Sequence, residues 1–280
     1  MEGRYLTYGE INRFREHLRG EEKSSNTIEK YIRDATAFFR FCTDAVTKET
    51  VIAYKQRLID SGYALRSVNS MLAGINSLFS FLGWHELRVK SLKVRQQVFC
   101  PETKELTKAE YERLCRTAEK SRNRRLSLIL QTLCGTGIRV SELQFITVEA
   151  VRKGEALVSL KGRTRAVFIV RKLRKKLLRY ISERKIESGP VFITRTGRAM
   201  SRISIWREMK SLCRKAEVNP QKVFPHNLRH LFARVFYGLE KDIAKLADIL
   251  GHSSIDTTRI YIISTGAEHR RRMEQMRLIL

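Results

Sequence analysis

The stretch from Phe224 to Tyr261, FPHNLRHLFARVFYGLEKDIAKLADILGHSSIDTTRIY, constrains this chain more than any other. It sets His226 and Arg229 in an H-x-x-R spacing, places His252 in a Gly-His turn and ends on Tyr261. Two imidazoles, a guanidinium and a phenol thus come together without any of the usual metal or nucleotide motifs. Such groups suit phosphoryl transfer in which a side chain is the nucleophile and cations stand where other enzymes use metal ions. The remainder reads as what delivers DNA, or further active-site groups, to this stretch.

The charge supports a polyanionic partner. The chain has 280 residues and a formal net charge of +26, with a pI near 10.3. Its basic residues are scattered through folded segments rather than massed on one amphipathic helix, which favours nucleic acid over a membrane surface. No apolar run approaches the roughly 18 residues of a transmembrane span. The N-terminal stretch has no apolar core of a signal peptide. The cysteines (Cys42, Cys100, Cys115, Cys134, Cys213) are isolated, with no C-x-x-C pair. A disulfide framework or zinc site is therefore not expected, and a reducing cytoplasm, at the nucleoid, is the expected setting.

The length permits two domains. Residues 1–92 read as a compact helical module. In Ser24–Phe41 the residues Ile28, Tyr31, Ile32, Ala35, Phe38 and Phe39 recur at helical spacing, with Ser25 or Asn26 as N-cap. Val51–Leu58 and Leu65–Leu82 predict two more helices. The Ser- and Asn-rich face of the latter is either solvated or laid against phosphates. Periodicity lapses around Pro101, so 93–105 reads as a linker. The second domain, 106–263, opens with Thr107 as N-cap and Glu110 at the capping-box position. A helix over Arg125–Thr136 follows, ending at Gly135 and Gly137. The run EALVSLKGRTRAVFIV predicts a hairpin around Lys161, and the rest reads as helical with breaks near Gly189-Pro190, Asn219-Pro220 and Gly251.

Four motifs now stand in order. TGIRVSEL carries Arg139 and Glu142, LKGRTR carries Lys161, PHNLRH carries His226, Arg229 and His230, and LGHSSIDTTRIY carries His252 and Tyr261. With these the chain resembles a tyrosine recombinase of the phage integrase family, close to its small Xer-type members, over nearly its whole length. The resemblance implies a mainly α fold with a small β-hairpin: a two-domain DNA clamp of a helical, SAM-like core-binding domain and a mixed α/β catalytic domain. It implies that Tyr261 attacks a scissile phosphate to give a 3′-phosphotyrosyl link and a free 5′-hydroxyl. The 5′-hydroxyl of a partner strand then reverses the step. Arg139 and Arg229 would bind the non-bridging oxygens, and Lys161 would protonate the leaving 5′-oxygen. His226 would accept the tyrosine proton or hold the phosphate, and His252 would donate to it. Neither cofactor nor metal is implied.

The residues leave alternatives at several positions. Arg163 or Arg165 could stand in for Lys161, because the hairpin has neither the family's Gly before the lysine nor its V-P-L after it. Tyr237 is a second phenol, but not at the family's spacing from a Gly-His turn. Glu142 either orients a neighbouring group or is an exposed helix carboxylate. His226 and His230 have the spacing of zinc ligands in H-E-x-x-H, but Asn227 replaces the glutamate. His230 receives no catalytic role. Without an additional N-terminal arm-binding domain, the expected partner is double-stranded DNA with two inverted half-sites. In the tail 264–280, Met273, Met276 and Leu280 share one helical side beside Ile279; either this side caps its own domain or, as the resemblance implies, it docks on a neighbour so that four protomers assemble on two such sites. An activating partner protein is left open. The competing readings are a type IB topoisomerase-like relaxing enzyme, a non-catalytic DNA-binding protein and an RNA-binding protein, the last without a visible RNA-binding aromatic motif.

Overall fold

A computed structural model describes residues 4–94, 105–160, 163–252, 254–262, 270 and 273–276. The chain divides into two compact units, Met1–Gln96 and Gln97–Leu280. The division falls inside the segment read as a linker, of which residues 95–104 lie outside the described ones. Among the described residues no helix is long and apolar enough to cross a membrane.

The first unit holds four helices, α1 (Tyr8–Gly20), α2 (Ser25–Phe39), α3 (Lys48–Asp60) and α4 (Leu65–Phe81). Thr7 and Thr47 close capping boxes on α1 and α3, answering backbone donors that helix starts leave unpaired. The cap of α2 is Ser24, whose side chain accepts from the Thr27 amide; Ser25 and Asn26 already lie inside the helix. Phe14, Leu18, Phe38, Leu72, Ile75, Leu78 and Phe79 are fully buried and form the core. The Phe38 ring meets Tyr54 and Phe79 edge-on, an arrangement that aromatic quadrupoles favour.

Two α4 asparagines depart from the phosphate-facing reading. Asn76 exchanges hydrogen bonds with the backbone of Val89, donating at 2.9 Å and accepting at 3.0 Å. Asn69 does the same with Leu92, at 2.8 and 2.7 Å. A carboxamide has one acceptor and one amino group, and both are engaged here. These side chains hold the exit segment of the unit against α4 rather than waiting for a ligand.

The second unit begins with α5 (Lys108–Lys120), which has the Thr107–Glu110 capping box, and α6 (Arg124–Thr136). Gly137 ends α6 at φ +66°, and a Cβ there would lie 2.4 Å from Phe232 Cδ1. Backbone and packing therefore both require glycine. A 3-10 turn over Val140–Phe145 leads to α7 (Val148–Lys153) and the antiparallel pair β1 (Glu155–Leu160) and β2 (Arg163–Phe168). Glu155 lies opposite Phe168 and Leu160 opposite Arg163. Side chains alternate as a half-buried strand requires: Ala156, Val158 and Val167 face the core, whereas Leu157 and Phe168 are exposed.

Among the described residues there follow α8 (Arg171–Arg184), α9 (Arg202–Ala216), α10 (Pro225–Glu240), α11 (Ile243–Leu250) and α12 (Ile255–Ile262). The chain between α8 and α9, expected to be helical around one break, is irregular instead, built of turns and bends. It forms isolated bridges between Thr147 and Pro190 and between Ile193 and Ala199. Val191 and Phe192 are buried there, so packing rather than local propensity sets this segment. The fold is mainly α with a two-stranded sheet.

Candidate active site

Arg229 is the largest side chain among those fully buried, at 1% exposure. Burying a guanidinium is costly unless its N–H groups are answered. Here Nη1 donates to the Gly137 carbonyl at 2.6 Å, and Nη2 donates to the Leu250 carbonyl at 2.7 Å and to His252 Nε2 at 2.8 Å. These carbonyls belong to the ends of α6 and α11, where helix dipoles are negative. Among the described residues no carboxylate forms an ion pair with Arg229, and its buried Nε has no hydrogen-bond partner. Burial first, then the nearby charge of Arg139, lowers its pKa to about 10, so it remains a cation at neutral pH. A buried cation with an unanswered donor is built for an anion brought from outside.

Tyr261 closes over it. The phenol ring is 6% exposed and lies 5.7 Å from the Arg229 guanidinium carbon. Its ring stacks on His230 with centroids 4.2 Å apart, and meets His226 at 5.1 Å and His252 at 5.0 Å. The pattern follows from helix geometry. His226, Arg229 and His230 stand at i, i+3 and i+4 of α10, hence on one face. Thr258 and Tyr261 are one turn apart on α12. Tyr237, the competing phenol, is partly buried and packs, like Phe232 and Phe236, against the small cluster of Ala233, Leu246, Leu250 and Tyr261.

The hydrogen bonds set the tautomer of His252. Arg229 Nη2 has no lone pair, so His252 Nε2 accepts from it. The proton then sits on Nδ1, which donates to the buried Thr258 hydroxyl at 2.8 Å. Donation from His252 to a phosphate therefore requires the proton to pass to Nε2. Thr258 was not singled out in the sequence, although its place one turn before Tyr261 marks the same helix face.

Arg139 enters from the 3-10 turn through Glu142. That carboxylate is fully buried, not an exposed helix charge. Its Oε1 accepts from Arg139 Nη1 at 2.9 Å and its Oε2 from the Arg139 amide at 2.8 Å. Arg165 also donates to it, from Nη1 at 3.0 Å and Nη2 at 2.6 Å. Burial pushes the Glu142 pKa up, but Arg165 and Arg139 outweigh it, and the net shift is downward. Arg165 is thus committed to Glu142 and is not free to replace Lys161 as a proton donor. Lys161 itself lies outside the described residues, as does the side chain of Arg163. The structure brings together Arg139, His226, Arg229, His252 and Tyr261. Among the described residues no group of three or more His, Cys, Asp or Glu could hold a metal, and the His226–His230 pair has no third ligand.

The histidines are held neutral. Desolvation first, then nearby positive groups, lowers all three, with His230 and His252 reaching about 4. An unfolded histidine titrates near 6.5. Between these values the unfolded chain binds more protons than the folded one, so stability falls as pH drops through that window and is complete above it. The full chain should show a lower urea midpoint at pH 5.5 than at 7.5. His230→Phe, which keeps a flat ring against Tyr261, should reduce that difference. Equal midpoints for the wild-type chain at both pH values would contradict the assignment of neutral imidazoles.

Comparison with known proteins bears on the whole arrangement. Residues 104–268 match the phage integrase family, and residues 11–86 match the phage integrase N-terminal SAM-like domain. The chain is 30% identical over 278 residues to tyrosine recombinase XerA of Thermococcus kodakarensis, covering 96% of this chain and 95% of that one. The crystal structure of XerA recombinase is 26% identical, with a TM-score of 0.56, over 98% of this chain and 100% of that chain. A lambda integrase tetramer bound to a Holliday junction shares the fold at 19% identity and a TM-score of 0.74, covering 91% of this chain and 76% of that one.

Proposed function

This chain belongs to the phage integrase family, and on that premise we propose that it is a site-specific DNA recombinase working through a 3′-phosphotyrosyl intermediate. The observation that carries the reading is the pairing of Tyr261 with Arg229: a phenol lying over a buried cation that has no carboxylate partner among the described residues. Tyr261 Oη attacks the scissile phosphorus, the bond to the 5′-oxygen breaks, and the 5′-hydroxyl leaves. Arg139 and Arg229 offset the charge that builds on the non-bridging oxygens. His226, neutral and beside the phenol, takes its proton. Lys161 returns a proton to the leaving oxygen. Rejoining runs the same steps backwards with a 5′-hydroxyl from another strand, so the phosphodiester energy is conserved and no nucleotide is consumed.

The test is trapping. The protein is footprinted on DNA to find the site it protects, and a nicked duplex carrying that site is then offered to it. A nick beside the scissile bond lets the short 5′-hydroxyl fragment diffuse away, which strands the enzyme on DNA. A protease-sensitive, detergent-resistant adduct is expected. Exchange of strands between two labelled sites separates recombination from simple relaxation of supercoils, and relaxation alone would favour the topoisomerase-like reading.

The helical first unit, 1–92, and the catalytic unit, 106–263, both bind the duplex, with 93–105 as the linker between them in the chain. The site has inverted half-sites, and four protomers assemble on two sites in the cytoplasm, at the nucleoid. Met273 and Met276 support a tail that docks on a neighbour, since both are apolar and exposed, at 58% and 59%. Leu280 and Ile279, the rest of that stripe, lie outside the described residues. A chain ended after Gly266 should bind one half-site normally but lose the four-protomer complex and strand exchange. Recombination of two sites by this shortened chain at the full rate would rule out docking in trans.

A further inference from the structure

Arg165 is bound on three sides. Its fork holds both oxygens of Glu142, and its Nε donates to the Ile249 carbonyl at 3.2 Å. The next carbonyl along α11, that of Leu250, holds Arg229. Successive carbonyls at one helix end therefore carry one guanidinium each. Gly251, at φ +66°, follows directly, and a Cβ there would lie 2.7 Å from Arg165 Cδ. The turn that presents His252 is thus shaped around the Arg165 stem. Arg165 is itself partly buried.

We propose that Arg165 is a positioning residue for phosphate activation, which keeps Arg139 available to the scissile phosphate by answering most of the charge on Glu142. The argument is one of competition. A fully buried carboxylate must be neutralised by its neighbours. With Arg165 in place, Arg139 gives Glu142 one guanidinium contact and its own amide, and its side chain stays 40% exposed. Without Arg165, the same carboxylate would draw the whole Arg139 fork onto itself and away from substrate. Arg165 touches no reacting atom and acts through Glu142 on Arg139 and through the α11 terminus on the Arg229–His252 pair.

This inference rests on the recombinase reading, and the test separates the two. Full-length Arg165→Ala and Arg165→Lys are compared with the wild type on the nicked duplex, carrying either an ordinary scissile phosphate or a methylphosphonate. The methylphosphonate lacks one charged oxygen and so asks less of Arg139. Arg165→Ala should bind the half-site as the wild type does, yet form the covalent adduct about 10–100-fold more slowly, the usual range for residues that orient a reacting group. Arg165→Lys keeps a cation beside Glu142, and hence the fold, but cannot fork both oxygens, so it should also be slowed. Both deficits should shrink on the methylphosphonate, and so should that of Arg139→Ala, which is run alongside. A deficit of equal size on both substrates would mean a structural role only, and adduct formation by both variants at the wild-type rate would mean none; either overturns the proposal. A wild-type chain that forms no adduct on ordinary phosphate would instead remove the recombinase reading, and this inference with it.

Discussion

Tyr261→Phe is expected to bind its DNA site with unchanged affinity and to form no covalent adduct. The substitution deletes one oxygen and keeps the ring. Its contacts with His230, His226 and His252 are ring contacts, so packing over Arg229 survives. Binding survives too, because it depends on backbone charge spread along the chain rather than on one phenol. Only the nucleophile is lost, and no neighbouring group can replace it without rebuilding the site. Tyr237 packs against the apolar cluster of Ala233, Leu246, Leu250 and Tyr261, and it is the Tyr261 ring that lies over Arg229. A protein–DNA adduct from Tyr261→Phe would move the nucleophile elsewhere and undo the mechanism.

The two arginines should both be needed for cleavage but should differ in what else they cost. An oxyanion stabiliser is typically worth about 10²–10³ in rate, so Arg139→Ala and Arg229→Ala should each lose cleavage by at least that much. Cleavage by the wild type should persist in EDTA, since guanidinium groups carry the charge here. The difference lies in stability. Arg139 is partly exposed, and removing it leaves Glu142 still held by the Arg165 fork. Arg229→Ala strands the Gly137 and Leu250 carbonyls in a buried setting, at about 1–3 kcal/mol each, and opens a cavity as well. Thermal melts of the two variants should therefore diverge, with Arg139→Ala near the wild type and Arg229→Ala well below it. Cleavage at the wild-type rate by either variant, or activity that needs added magnesium, would count against the assigned chemistry.

What the sequence made legible follows from how local each signal is. The Thr107–Glu110 capping box, the helix over Arg124–Thr136 and the hairpin all rest on neighbours within a few residues, and the structure has them. The H-x-x-R spacing works in the same way, because i and i+3 share a helix face whatever surrounds it. Glu142 was harder: it sits in a 3-10 turn, where no periodicity announces burial. Arg165 is legible in the sequence only as an alternative to Lys161, because its partners, Glu142 and Ile249, lie far along the chain. Asn69 and Asn76 went the same way, since a polar side chain facing its own backbone looks like one facing a ligand. The irregular segment before α9 was read as helical because its form is set by tertiary bridges rather than composition.

The Arg229 hydrogen bonds also bear on how such a protein can decay over generations. One guanidinium fastens the ends of α6 and α11 together, so the residue that activates the phosphate is also part of the frame. A lineage that kept this domain only to occupy DNA could not discard Arg229 first, because the domain would weaken before any benefit arose. The phenolic oxygen of Tyr261 carries no such burden. Silent descendants should therefore have lost the nucleophile and retained the arginine, and an intact Arg229 is poor evidence that a relative still cuts. On the proposed chemistry, the phenol rather than the arginine is the position to inspect in deciding whether a relative still cuts.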